Sequence, residues 1–227
     1  MNLFIANLVV LFSLFGKNTY AKSDNPENWC RWGSVKVDNF YTVGTLKSKN
    51  ENKFYFYNDQ DQCPDLSIQK CKNKSYLISG DKVLLANQYK DWTCARYLNF
   101  SKKKIISDTS GWILTKFISI EKTLNHPKED SWLGKWVDGF NTLELTKGSD
   151  GQIKVNGLAT WGSGVNMHTG EIVGMGKPIE NKITVKDESN EDCQLKLVLI
   201  DQFLIAEDNS NCGGVNVSFS SVYIREK

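Results

Sequence analysis

Tyr76-Leu77-Ile78-Ser79-Gly80-Asp81-Lys82-Val83-Leu84-Leu85, followed by Trp92-Thr93-Cys94-Ala95-Arg96-Tyr97 and then Gly111-Trp112-Ile113, decides the fold. A hydrophobic run meets a Gly-Asp turn, returns through a tryptophan-led segment and closes on Gly-Trp-aliphatic. β-Branched and aromatic residues suit a pleated, half-buried surface, and Gly and Asp supply the turns between such segments. The pattern predicts a small antiparallel barrel, an architecture that binds more often than it catalyses.

Outward from that stretch the same signal continues. Phe54-Tyr55-Phe56-Tyr57 alternates, which sends Phe54 and Phe56 toward a core and Tyr55 and Tyr57 to the other face. No window of helical length carries a capped apolar stripe. A polar break over 121–130, with Asn125-His126-Pro127-Lys128-Glu129-Asp130, lacks periodicity and is expected to link two compact units, 22–120 and 131–227. The second unit offers eight strand candidates: 133–138, 142–146, 152–160, 171–175, 182–186, 194–200, 203–207 and 215–225. Alternation such as Ile153, Val155 and Ala159 against Lys154 and Asn156 fits a sheet with one wet face. The expected class is all-β: a small barrel followed by an antiparallel barrel or sandwich of about eight strands.

The three opening segments resemble the bacterial Src-homology-3-like (SH3-like) domain over roughly residues 40–118, in order and in spacing. The usual Asn-Val-Arg segment is absent, and a cysteine-rich insertion from Cys63-Pro64-Asp65 to Cys71 stands in its place. In exported bacterial proteins such domains often bind cell-wall peptides or dock partners. The resemblance therefore implies binding in a shallow aromatic groove. Tyr55, Tyr57, Tyr89 and Trp92 are the groove candidates, because aromatic side chains beside turns offer large rigid contact area with a polar tip.

Residues Leu3 to Phe15 are apolar except Asn7 and Ser13, and Thr19-Tyr20-Ala21 follows, the layout of a secretory signal cut after Ala21. The run is too short for a bilayer span, so no membrane insertion is expected after cleavage. Six cysteines remain: Cys30, Cys63, Cys71, Cys94, Cys193 and Cys212. An even number in an exported chain reads as disulfides, with Cys193 paired to Cys212 and three connectivities open for the other four. Their spacings include no Cys-x-x-Cys and lie far from His126 and His168, so no metal is expected. Beyond residue 21 the chain carries 27 basic and 26 acidic side chains, a net charge of +1, which gives no footprint for nucleic acid. The Asn- and Lys-rich composition resembles that of an AT-rich bacterium and places the expected protein in the periplasm, or secreted.

In the second unit, Gly134-Lys135-Trp136 in the first strand and Arg225 in the last resemble the pair that closes lipocalin-type barrels, where arginine stacks over tryptophan. Trp161-Gly162-Ser163-Gly164-Val165-Asn166-Met167-His168-Thr169-Gly170 is a glycine-rich loop whose Trp161, Met167 and His168 are binding candidates. Asp208 to Phe219 reads as a turn pinned by Cys212. Catalytic groups are scarce: two histidines, no Gly-x-Ser-x-Gly, and adjacent carboxylates such as Glu207 and Asp208 that alternate across a strand. The expected function is non-enzymatic binding of peptidoglycan or an exported protein partner, without cofactor. An inhibitor of a cell-wall hydrolase and a lipocalin-type carrier of small apolar ligands are the alternatives.

Overall fold

The computed structural model describes residues 27–30, 42–101, 104–121 and 126–226, so the expected signal peptide lies outside the described residues. The described fold is all-β, in two antiparallel sheets. Among the described residues no helix is long and apolar enough to cross a membrane.

The first sheet has seven strands, β1 (Thr42–Leu46), β2 (Phe54–Tyr57), β3 (Lys72–Leu77), β4 (Lys82–Tyr89), β5 (Trp92–Ser101), β6 (Lys104–Leu114) and β7 (Ile118–Ile120), in the order β3-β2-β6-β5-β4-β1-β7. The Gly-Asp turn joins β3 to β4: Gly80 sits at φ +96°, and the Asp81 carboxylate accepts the Ile78 N–H at 2.8 Å. Phe54 and Phe56 are buried with Leu46, Leu77, Val83, Leu85, Ala95 and Ile113, while Tyr55 and Tyr57 take the opposite face. The strand that carries Gly111-Trp112-Ile113 is β6, which ends at Leu114, and a 3₁₀ turn over Thr115–Phe117 precedes β7. Arg96 and Asp108 form a largely buried two-pronged pair between β5 and β6, with Nε 2.9 Å from Oδ1 and the guanidinium tip on Oδ2.

The second sheet has eight strands: β8 (Gly134–Val137), β9 (Thr142–Lys147), β10 (Ile153–Trp161), β11 (His168–Gly176), β12 (Lys182–Lys186), β13 (Gln194–Ile200), β14 (Phe203–Asp208) and β15 (Ser221–Arg225). Each of the eight expected segments overlaps one, with β11 beginning three residues earlier than expected. Their order, β11-β10-β9-β8-β15-β14-β13-β12, brings β11 beside β12 and nearly closes a barrel. Glycine makes this approach possible: a Cβ on Gly174 would lie 2.1 Å from the Lys186 carbonyl oxygen, and one on Gly176 2.5 Å from that of Thr184. The Asp187 carboxylate accepts the Val173 N–H at 2.7 Å, and the Val173 carbonyl accepts the Glu188 N–H at 2.8 Å, across the same seam. Side chains fill the interior, including Trp132, Trp136, Leu143, Leu197, Phe219 and Tyr223. At the barrel's end the Arg225 guanidinium stands 4.8 Å above the Trp136 ring and donates to the Ser131 carbonyl.

The outside of the barrel is apolar along β13 to β15, and this is where the first sheet packs. Val198, Ile200, Phe203, Ile205 and Val222 form one buried cluster with Val43, Leu84 and Leu98. Three disulfides, Cys30–Cys94, Cys63–Cys71 and Cys193–Cys212, bond all six cysteines and indicate an oxidising, extracytoplasmic environment.

Candidate functional site

Two surfaces gather the binding candidates, Tyr55 and Tyr57 on one and Trp161, Met167 and His168 on the other. The first is a groove of about 290 Å³ between β2 and the turn after β6, lined by Phe54, Tyr55, Tyr57, Leu66, Ile113 and Phe117 and rimmed by Lys53, Lys72 and Lys116, with Glu51 the only acid among the described residues that line it. Strand pairing builds it. The β2–β3 register sets Tyr55 opposite Tyr76 and Tyr57 opposite Lys72, so aromatic and ammonium groups interleave on one face. Lys72 Nζ lies 3.8 Å above the Tyr55 ring, Lys53 Nζ 4.3 Å above Tyr76, and Lys116 Nζ 4.9 Å above Phe117. Burial pushes the Tyr57 phenol above its ordinary pKa, so it stays a neutral hydrogen-bond donor at physiological pH.

The other two groove candidates lie elsewhere. Trp92 is 6 % exposed and packs under Tyr57 at 4.7 Å between ring centroids, so it supports the groove without lining it. Tyr89 stands edge-on to Trp29 at 6.0 Å and lies 6.4 Å from Trp112. Both belong to the cluster around the Cys30–Cys94 bridge. The lysines of the rim and Leu66 were absent from the sequence reading. Their one signal is the outward phase of β2, which leads across the ladder to Lys72.

The second surface is an end of the barrel. The segment read as a ten-residue loop is a tight hairpin: Trp161 and His168 are paired strand residues, their rings 5.7 Å apart, and only 162–167 turns. Gly162 and Gly164 hold the positive φ of +86° and +58° that this turn requires. Val165 is fully exposed, and Met167 and Trp161 are exposed beside it. Phe140 of the β8–β9 turn and Val215 of the loop before β15 are 80 % and 70 % exposed. The three segments meet: Thr160 N–H donates to Asn141 Oδ1 at 3.0 Å, Asn141 Nδ2 to the Ser218 carbonyl at 3.1 Å, and Gly214 N–H to the Thr169 carbonyl at 3.4 Å.

Beneath this end lie carboxylates that invite a catalytic reading and are fully engaged. Asp138 accepts the N–H groups of Phe140 and Asn141 at 2.9 and 2.6 Å. Asp208 accepts Ser210 N–H at 2.9 Å, the Ser218 hydroxyl at 3.0 Å and Phe219 N–H. Burial, followed by the Asp138 charge, drives the Tyr223 phenol well above its ordinary pKa, and its hydroxyl donates to the Phe219 carbonyl at 2.9 Å. These groups hold turns. Among the described residues no group of three His, Cys, Asp or Glu side chains is placed to hold a metal. Compared with protein-family models, with curated proteins and with solved structures, the chain matches none.

Proposed function

We propose that this chain is a non-enzymatic binding protein of the bacterial envelope, with an SH3-like first unit that takes an anionic wall peptide or a comparable acidic segment of an envelope protein. The observation that carries this reading is the aromatic groove with three lysines on its rim and one acid. Tyrosine faces supply rigid contact area, and ammonium groups at the edge orient carboxylates while remaining hydrated. Charge supports the same surface. The near-neutral total hides a division: 22–120 carries 16 basic and 10 acidic side chains, net +6, and 121–227 carries 11 basic and 16 acidic, net −5. The filled barrel interior speaks against a lipocalin-type carrier.

Co-sedimentation of the purified, oxidised protein with isolated sacculi tests the reading. Retention at low salt is expected, weakened about tenfold by Tyr55→Ala and more by Lys72→Glu combined with Lys116→Glu. If these variants are retained as well as the parent protein, the groove is not the binding site.

A further inference from the structure

The end of the barrel at 139–141, 161–168 and 213–217 has a combination that stability does not need. Phe140, Trp161, Val165, Met167 and Val215 are exposed together, and none of the three segments contains Lys, Arg, Asp or Glu. Exposed apolar groups gathered in this way mark contact surfaces. The end is also pre-shaped. Cys212, bonded to Cys193, presses its loop against the hairpin so closely that a Cβ on Gly170 would lie 2.3 Å from the Cys212 carbonyl oxygen. A hairpin braced in this way loses little further freedom on docking.

Beside it runs an acidic loop. Glu188, Glu191 and Asp192 are exposed, and that loop is tied to the 209–217 loop by Asn190 Nδ2 on the Asn211 carbonyl at 3.0 Å and Asn209 Nδ2 on the Asp192 carbonyl at 2.7 Å. An apolar tip with acids at its flank is the complement of an aromatic groove with lysines on its rim, and this chain carries both. We propose that the chain associates with a second copy of itself head to tail, the braced hairpin of one barrel docking into the lysine-rimmed groove of the next copy's first unit. The two patches differ, so the contact is heterologous and repeats into rings or open chains. The +6 and −5 halves steer the same alignment and make it sensitive to salt. An anionic bilayer is a poorer occupant, because the tip brings no cation to it and its flank is acidic.

Sedimentation velocity on the purified, oxidised protein at rising concentration, at low salt and at about 0.5 M salt, where surface charges are screened, tests the contact. Concentration-dependent association that salt weakens is expected. Two variants divide it: Val165→Ser with Met167→Ser changes only exposed hairpin positions, and Lys72→Glu with Lys116→Glu changes only the groove rim. Each alone should weaken association about tenfold or more. Mixed together they should recover a one-to-one pair that grows no further, since each brings one intact surface. A monomer at every concentration, association that survives both changes, or a mixture that fails to pair overturns the inference. So does hairpin-dependent binding to phosphatidylcholine vesicles with no self-association. Sacculus retention by the hairpin variant separates the outcomes: it reports the groove's ligand and leaves self-association to be judged alone.

Discussion

The two sheets stabilise β-units of similar length with different emphases, although Asp81 accepts a backbone N–H in the first as well. The first invests unlike charge in its interior, through Arg96 and Asp108, and wraps a disulfide of sequence separation 64 in aromatic rings. The barrel keeps its interior apolar and uses Asp138, Asp187 and Asp208 to accept backbone N–H groups at its turns. Among the described residues each unit also buries one tryptophan indole N–H without an acceptor, Trp112 in the first and Trp132 in the second. The difference teaches where binding surface comes from. The first unit consumes acid internally and is left with surplus lysine on its groove. The second spends carboxylates on turns and presents an uncharged apolar tip above them.

If that contrast is right, the largest loss follows from breaking the internal pair. Asp108→Ala strips the Arg96 guanidinium of its two-pronged carboxylate and should cost about 4 kcal/mol in urea unfolding. Combining it with Arg96→Met should return much of that loss; a double variant as unstable as the single one would place the damage in packing instead. Next come the bridges. By loop-closure entropy, removing Cys30–Cys94 as a serine pair should cost about 4 kcal/mol and removing Cys193–Cys212, with sequence separation 19, about 3 kcal/mol. A reversed order would mean that the barrel depends on its staple more than its filled interior implies.

Much of this contrast was legible in the residues. Period-two alternation exposed β2 and most of the barrel, and Trp136 with Arg225 announced how the barrel end is closed. Alternation is silent where a strand is covered on both faces. Trp92, Thr93, Cys94 and Ala95 are all buried in succession, so no pattern told the supporting Trp92 from a groove wall. The apolar runs of β13 and β14 carry the mark of two-sided burial, although nothing in them says that the second cover is the first sheet. Lys53, Lys72 and Lys116 lie far apart in the chain, and only ladder register and a 3₁₀ turn assemble them.

The carboxylate-pinned seam gives a smaller and pH-dependent test. Burial raises the Asp187 carboxyl, but the Ser189 hydroxyl and the backbone N–H groups of Val173, Ser189 and Asn190 outweigh it, and the net shift is downward. A lowered folded-state pKa contributes stability that is complete above the unfolded value of about 4 and is lost as pH falls through the folded value. Asp187→Asn keeps the shape and removes the charge, and should cost about 2 kcal/mol at neutral pH. The gap between variant and parent should narrow below about pH 4. A gap that stays constant from neutral to acid pH would show that the seam is held by glycine packing alone.

The smallest effect is expected where the two sheets meet. Lys82 Nζ bridges Glu121 at 3.0 Å and Asp201 at 3.1 Å, and Glu121 also accepts the Thr45 hydroxyl. The Thr45 hydrogen bond, then that of Lys82, lowers the Glu121 pKa, while Glu121 and Asp201 raise that of Lys82. All three charged side chains are more than a third exposed, and water and salt screen such pairs. Lys82→Met should therefore cost no more than about 0.5 kcal/mol, with little change on adding salt. The apolar cluster of Leu84, Leu98, Phe203 and Ile205 carries the junction in this account. A loss well above 1 kcal/mol that salt reproduces in the parent protein would reverse it, making the ion bridge the fastening and the apolar face its filler.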